Sequence, residues 1–166
     1  MKNKVFIIYH DSTIIGDLIN TLYKMCNDVN ISNKFTTNKD NVINELPYSY
    51  YYINQLEVNK ALKNNSLLYI ITNDYISTGI TIDDFYNSDV FCMSYKEYNV
   101  ISDVIFHKYN ILTIWLDSPN NKYTNINHDI VFIEHRLETV PYEYFLNDKP
   151  EDICQVIIDY LEINNN

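Results

Sequence analysis

The sequence predicts an α/β fold with a mainly parallel central sheet flanked by helices. Three observations predict it. Apolar runs rich in β-branched residues at 4–9, 67–72 and 111–116 have the continuous hydrophobicity of strands covered on both faces. Between such runs lie stripes of helical period, opened by Ser, Thr, Asp or Asn at cap positions. Strand and helix signals then alternate along the chain, the pattern of βαβ units.

Residues 4–9 (Lys-Val-Phe-Ile-Ile-Tyr) should form a central strand. Ile14, Ile15, Leu18, Ile19, Leu22, Met25 and Cys26 then recur on one helical face, with Asp11 or Ser12 as N-cap. Residues 31–37 suit an edge strand, and a polar stretch from Asn38 to Glu45 ends at Pro47. Residues 50–53 should form another strand, followed by Asn54 as cap and a helix carrying Leu56, Ala61 and Leu62. After the run at 67–72, Asn73, Asp74 and Tyr75 turn the chain. Thr81 to Asp84 has capping-box character and opens a short helix ending near Asn87. Residues 90–93 form a short strand, and Ser94 to Glu97 a full capping box for a helix through about His107. The strand at 111–116 leads into a polar loop at 117–128. Residues 142–146 give the last strand, and Pro150 sits in the first turn of a helix bearing Ile153, Val156, Ile157, Tyr160 and Leu161 on one side.

The chain has 166 residues, enough to bury roughly two-thirds of its unfolded surface in one core without disulfides or a structural metal. No linker or repeat divides it, so residues 1–163 are taken as a single domain and 164–166 as a frayed tail. Three cysteines without a C-x-x-C pattern fit reduced thiols, and no apolar run approaches the roughly 20 residues of a membrane span. A cytoplasmic protein is expected, with no membrane partner. The net charge of −10 argues against a nucleic-acid partner, because counterion release needs clustered Lys and Arg. The surplus of Asn, Ile, Tyr and Lys reflects A/T-rich codons, as in a low-GC bacterium or one of its viruses. Gly16 and Gly79 are the only glycines and Arg136 the only arginine, which limits both backbone cradles and guanidinium clamps for phosphate.

With its elements in this order the chain resembles the guanylate kinase branch of the nucleoside monophosphate kinases. Tyr142-Glu143-Tyr144-Phe145-Leu146-Asn147-Asp148 before a helix is similar to the closing strand of that family, and Asp117-Ser118-Pro119 follows its strand as the family's Pro-Pro-Ser does. Tyr50-Tyr51-Tyr52-Ile53-Asn54 and Leu67-Leu68-Tyr69 resemble two further family segments. The resemblance implies a P-loop kinase architecture over nearly the whole length. It also implies a phosphate loop, G-x-x-x-x-G-K-[ST], whose first Gly falls at Tyr9, second Gly at Ile14, Lys at Ile15 and hydroxyl at Gly16. All of these are changed, so the loop should be degenerate and phosphoryl transfer lost. The family's Thr-Thr-Arg segment matches Thr36-Thr37-Asn38, its guanine-reading Glu falls near Tyr69 or Ile70, and its lid arginines are reduced to Lys122 and Arg136. What the resemblance leaves of a nucleotide site is Tyr50, Tyr75, Ser77, Arg136 and Asn147.

Other chemistry is weaker. His10-Asp11-Ser12 has triad residue types, yet triads assemble in space, and a helix cap is the simpler role. Tyr48 to Tyr52 lacks the basic neighbours of a base-stacking platform, and Asp83-Asp84 suits a helix N-terminus better than a divalent ion. His128 and His135 have no companion ligands at zinc spacing, so no metal site is expected. The expectation is a catalytically inactive guanylate-kinase-like domain that binds a protein partner, with a homodimer also open. No cofactor is expected beyond a nucleotide held without catalysis. The alternatives are a divergent nucleotide or deoxynucleotide kinase, the one case requiring magnesium, and an acidic nucleic-acid mimic.

Overall fold

The computed structural model describes residues 3–9, 12–42, 49–101, 105, 108–116, 131–135, 142–144 and 150–162. The elements are β1 (Asn3–Tyr9), α1 (Ser12–Met25), β2 (Lys34–Thr36), a 3-10 turn (Lys39–Asn41), β3 (Tyr50–Tyr52), α2 (Gln55–Lys63), β4 (Leu67–Asn73), β5 (Ile76–Thr81) and α3 (Ile82–Asn87). They continue with β6 (Val90–Ser94), α4 (Tyr95–Asn99), β7 (Asn110–Leu116), β8 (Val131–His135), β9 (Tyr142–Tyr144) and α5 (Pro150–Glu162).

Two sheets form rather than one. The first has the order β6-β1-β7-β8-β9, and the second β3-β2-β5-β4. The expectation of a mainly parallel sheet is therefore corrected: β6, β1 and β7 run parallel, while β8 and β9 are antiparallel additions at one side. In the second sheet only β2 and β3 are parallel. Between β4 and β5 the physical reason is the short connection. β4 and β5 are joined by the two-residue turn Asp74-Tyr75, both at positive φ (47° and 68°), and so tight a link can only reverse the chain.

β1 is buried along nearly its whole length because both its faces are covered. Val5 and Ile7 face a cluster built with Ile15, Leu18, Ile19 and Leu22 of α1 and Cys154, Ile157 and Ile158 of α5. Phe6 and Ile8 face the other way, into a cluster with Phe85, Phe91, Met93, Tyr98 and, from the second sheet, Tyr69 and Ile80. Each fully buried Ile, Leu or Phe contributes about 1.5–3 kcal/mol, so β1 is the spine that joins two cores. Phe91 meets Phe6 edge-on at 5.4 Å between ring centroids and lies 5.1 Å from Phe85. Lys4 is buried below this aromatic group, where its Nζ donates to the carbonyls of Phe85 (2.7 Å), Tyr86 (3.3 Å) and Ser88. It thereby satisfies carbonyls at the end of α3 that have no helical partner.

The helix signals are local and hold. Asn54, Thr81 and Ser94 each close a capping box with Glu57, Asp84 and Glu97. α2 ends in a Schellman turn: Asn65 takes positive φ (51°), its N–H donates to Leu62 O, and Ser66 N–H donates to Ala61 O. Several boundaries differ. The strand expected at 31–37 is only Lys34–Thr36 and lies between β3 and β5 rather than at an edge, while Ile31 makes a single parallel bridge to Val90. The helix expected through about His107 is α4 only as far as Asn99; residues 105 and 108 are again helical, and His107 lies outside the described residues. β5 and β8 are additions to the expected strands. The loop at 117–128 and the tail at 164–166 lie outside the described residues. Among the described residues no helix is long and apolar enough to cross a membrane.

Gly16 lies inside α1, where an added Cβ would meet no heavy atom within 4 Å. Gly16→Ala should therefore raise stability by about 1 kcal/mol, the helix-propensity difference, seen as a higher urea midpoint.

Candidate functional site

β1 and β6 end side by side at the register pair Tyr9 and Ser94, and α4 starts at the next residue. Carboxyl ends of parallel strands are where open α/β sheets gather polar side chains. Here the first residue of β2, Lys34, reaches across from the second sheet to Glu97 in α4. Its Nζ donates to Glu97 Oε1 at 2.9 Å and Oε2 at 2.8 Å. Tyr69 of β4 donates its phenol to Oε1 at 3.0 Å, and the Ser94 backbone N–H donates to Oε2 at 2.6 Å. Lys34 and Glu97 retain only 3% and 6% of their exposure, so this pair is bidentate and lies in the interior. The rings of Tyr9 and Tyr50 flank the ammonium, with centroids 5.8 and 5.9 Å from Nζ.

The electrostatics fix every charge. Burial disfavours the Lys34 ammonium, but the oxygens of Tyr69 and Glu97 outweigh it and hold its pKa well above the ordinary 10.5. Burial likewise disfavours the Glu97 carboxylate, and the Lys34 charge with the bonds from Ser94 and Tyr69 brings it below 4.5. Burial pushes the Tyr9 phenol up to about 12 against the opposing pull of Lys34, and the neighbouring Cys92 thiol also to about 12. Tyr69 is pushed up as well, mainly by burial. At neutral pH the cluster is thus one cation, one anion and neutral donors. The Glu97 carboxylate already accepts four hydrogen bonds, Lys34 is a protonated ammonium, and Cys92 is a protonated thiol. What the arrangement can do is fasten the second sheet to the first.

The residues singled out from sequence fall in different places. Tyr9 and Tyr50 come together around Lys34. Tyr75 does not: it sits at the β4–β5 turn, 97% exposed. Ser77 is buried and internally satisfied, its N–H donating to Thr37 Oγ1 at 2.8 Å and its Oγ 2.9 Å from Thr72 Oγ1. The segment read as a crowded phosphate loop is mostly helix. Tyr9 is the last residue of β1, Ile14, Ile15 and Gly16 belong to α1, and only residues 10 and 11 lie between the two elements. Ile15 is fully buried in the core. Asn38 accepts from Asp40 N–H as the cap of the 3-10 turn. Asp84 caps α3 and accepts from Tyr51 at 2.6 Å, a helix-end role for that carboxylate. Arg136, Asn147, Lys122, His10, Asp11 and His128 lie outside the described residues. Among the described residues no group of three or more His, Cys, Asp or Glu is placed to hold a metal ion.

No protein-family model matches the chain, and no curated protein matches it. Among solved structures it is similar to a guanylate kinase from Anaplasma phagocytophilum, at 11% identity and a TM-score of 0.49, over 72% of this chain. The chain spans 62% of the length of that protein.

Proposed function

We propose that this chain is a non-catalytic guanylate-kinase-like domain that acts by binding, with phosphoryl transfer lost. The observation that supports the reading is the position of Ile15. It occupies the place of the phosphate-binding lysine in the resemblance, and it is 0% exposed among Val5, Ile7 and Leu18. A side chain there is part of the core and faces no phosphate. The buried cation nearby, Lys34, already has both carboxylate oxygens of Glu97.

A coupled assay for ADP release, with ATP, magnesium and each common nucleoside monophosphate, should show no turnover above background. Turnover at ordinary kinase rates that is lost in a Tyr50 or Arg136 variant would overturn the reading. A thermal-shift series with nucleoside mono-, di- and triphosphates then separates the two kinds of ligand, since a ligand of the native state raises stability by mass action. A shift removed by Tyr50→Ala assigns a nucleotide. No shift with any of them leaves a protein partner.

A further inference from the structure

Four hydrogen bonds converge on the Glu97 carboxylate, and three of them come from side chains of the other sheet: two from Lys34 Nζ and one from Tyr69 OH. Lys34 and Tyr69 are both more than nine-tenths buried, and the strand pairing that holds their backbones does not involve Glu97. Lys34 opens β2, with its strand neighbour Tyr50 alongside, and Tyr69 is fixed in β4 by its pairing with Ile80. A fixed ammonium and a fixed phenol aimed at one point make a receptor for a planar oxyanion. We infer that Lys34 and Tyr69 form an oxyanion site that the chain fills with its own Glu97 carboxylate, and that a small free carboxylate enters it once that side chain is removed.

The inference does not depend on the binding role proposed above. It separates two meanings of the buried pair. If Glu97 is an internal ligand, its carboxylate is replaceable by an external one, whereas a general loss of packing is not repaired by an anion. Among the described groups facing the site, Tyr9, Tyr69 and Cys92 are all pushed up by burial and stay neutral at neutral pH, so Lys34 is the charge that selects an anion.

The test uses the full chain carrying Glu97→Ala, melted in increasing formate or acetate against chloride at equal ionic strength. The melting temperature should rise with carboxylate and saturate, as mass action requires, and rise far less with chloride. The wild type should show no such difference, and Lys34→Met combined with Glu97→Ala should lose it. An equal response to chloride, or one that survives without Lys34, would overturn the inference. Should Glu97→Ala fail to fold, the near-isosteric Glu97→Gln keeps the question open to measurement. With a neutral partner, buried Lys34 is left as an uncompensated cation whose folded pKa drops below 10.5. The unfolded chain then binds more protons, so the stability of Glu97→Gln relative to wild type should climb as pH rises from the folded value toward 10.5. A pH profile parallel to that of the wild type would exclude the oxyanion site.

Discussion

Lys34→Met will cost about 3–5 kcal/mol of folding stability, measured by urea denaturation at neutral pH. The methionine fills most of the volume, so the loss comes from the carboxylate of Glu97 left buried without its counter-charge. Because the deficit is electrostatic, it depends on pH. In the wild type the depressed pKa of Glu97 stabilises the fold above 4.5, and this is lost as pH falls through the folded value. The raised pKa of Lys34 stabilises below 10.5, and this is lost as pH climbs through the folded value. In Lys34→Met the sign at Glu97 reverses. Burial without the ammonium raises its folded pKa above 4.5, the folded state binds the proton first, and the deficit narrows on acidification toward that value. A deficit that stays constant across that range would mean that packing alone was lost. Adding Glu97→Leu should recover part of the loss, since apolar residues can replace a buried pair. About 1–3 kcal/mol stays missing for the unpaired Ser94 N–H and Tyr69 hydroxyl.

The same pair marks what the sequence can and cannot disclose. Features decided within a few residues were legible: the buried run of β1, the apolar stripe of α1, and the capping boxes at Thr81 and Ser94. Features decided at long range were not. Lys34 and Glu97 are 63 residues apart, and each has a sufficient local explanation, a lysine in an expected edge strand and the last residue of a capping box. Only the pairing of the sheets shows that both are buried. β5 escaped notice because Ile76-Ser77-Thr78-Gly79 mixes small polar residues with a glycine, which weakens strand propensity. Its strand character comes instead from β2 and β4 on either side. Tyr9 and Tyr50 were picked out as phosphate-loop and nucleotide residues and do meet, but around a lysine that neither assignment contained.

Gly79→Ala should also be strongly destabilising, and should act partly through the same site. Gly79 is the only glycine in a strand and pairs with Phe35 on one side and Ile70 on the other. Its φ is not positive, so space rather than backbone freedom requires it. A Cβ there would run into the carbonyl oxygen of Tyr69 and stand 2.8 Å from two ring atoms of Phe35. Phe35 is fully buried and Tyr69 O is backbone, so neither can swing away, and β4 must shift against β5. Overpacking of this kind costs about 1–3 kcal/mol, more where backbone is the obstacle, against the gain expected from Gly16→Ala. Because Tyr69 carries the phenol that reaches Glu97 at 3.0 Å, moving its backbone also loosens the ion-pair site. A double-mutant cycle with Tyr69→Phe tests that link. Deleting the hydroxyl should cost about 1 kcal/mol or more in the wild type and much less in Gly79→Ala, where the bond is already strained or broken. Strict additivity of the two changes would show that the glycine supports strand packing only, and that the Lys34–Glu97 pair keeps its geometry without it.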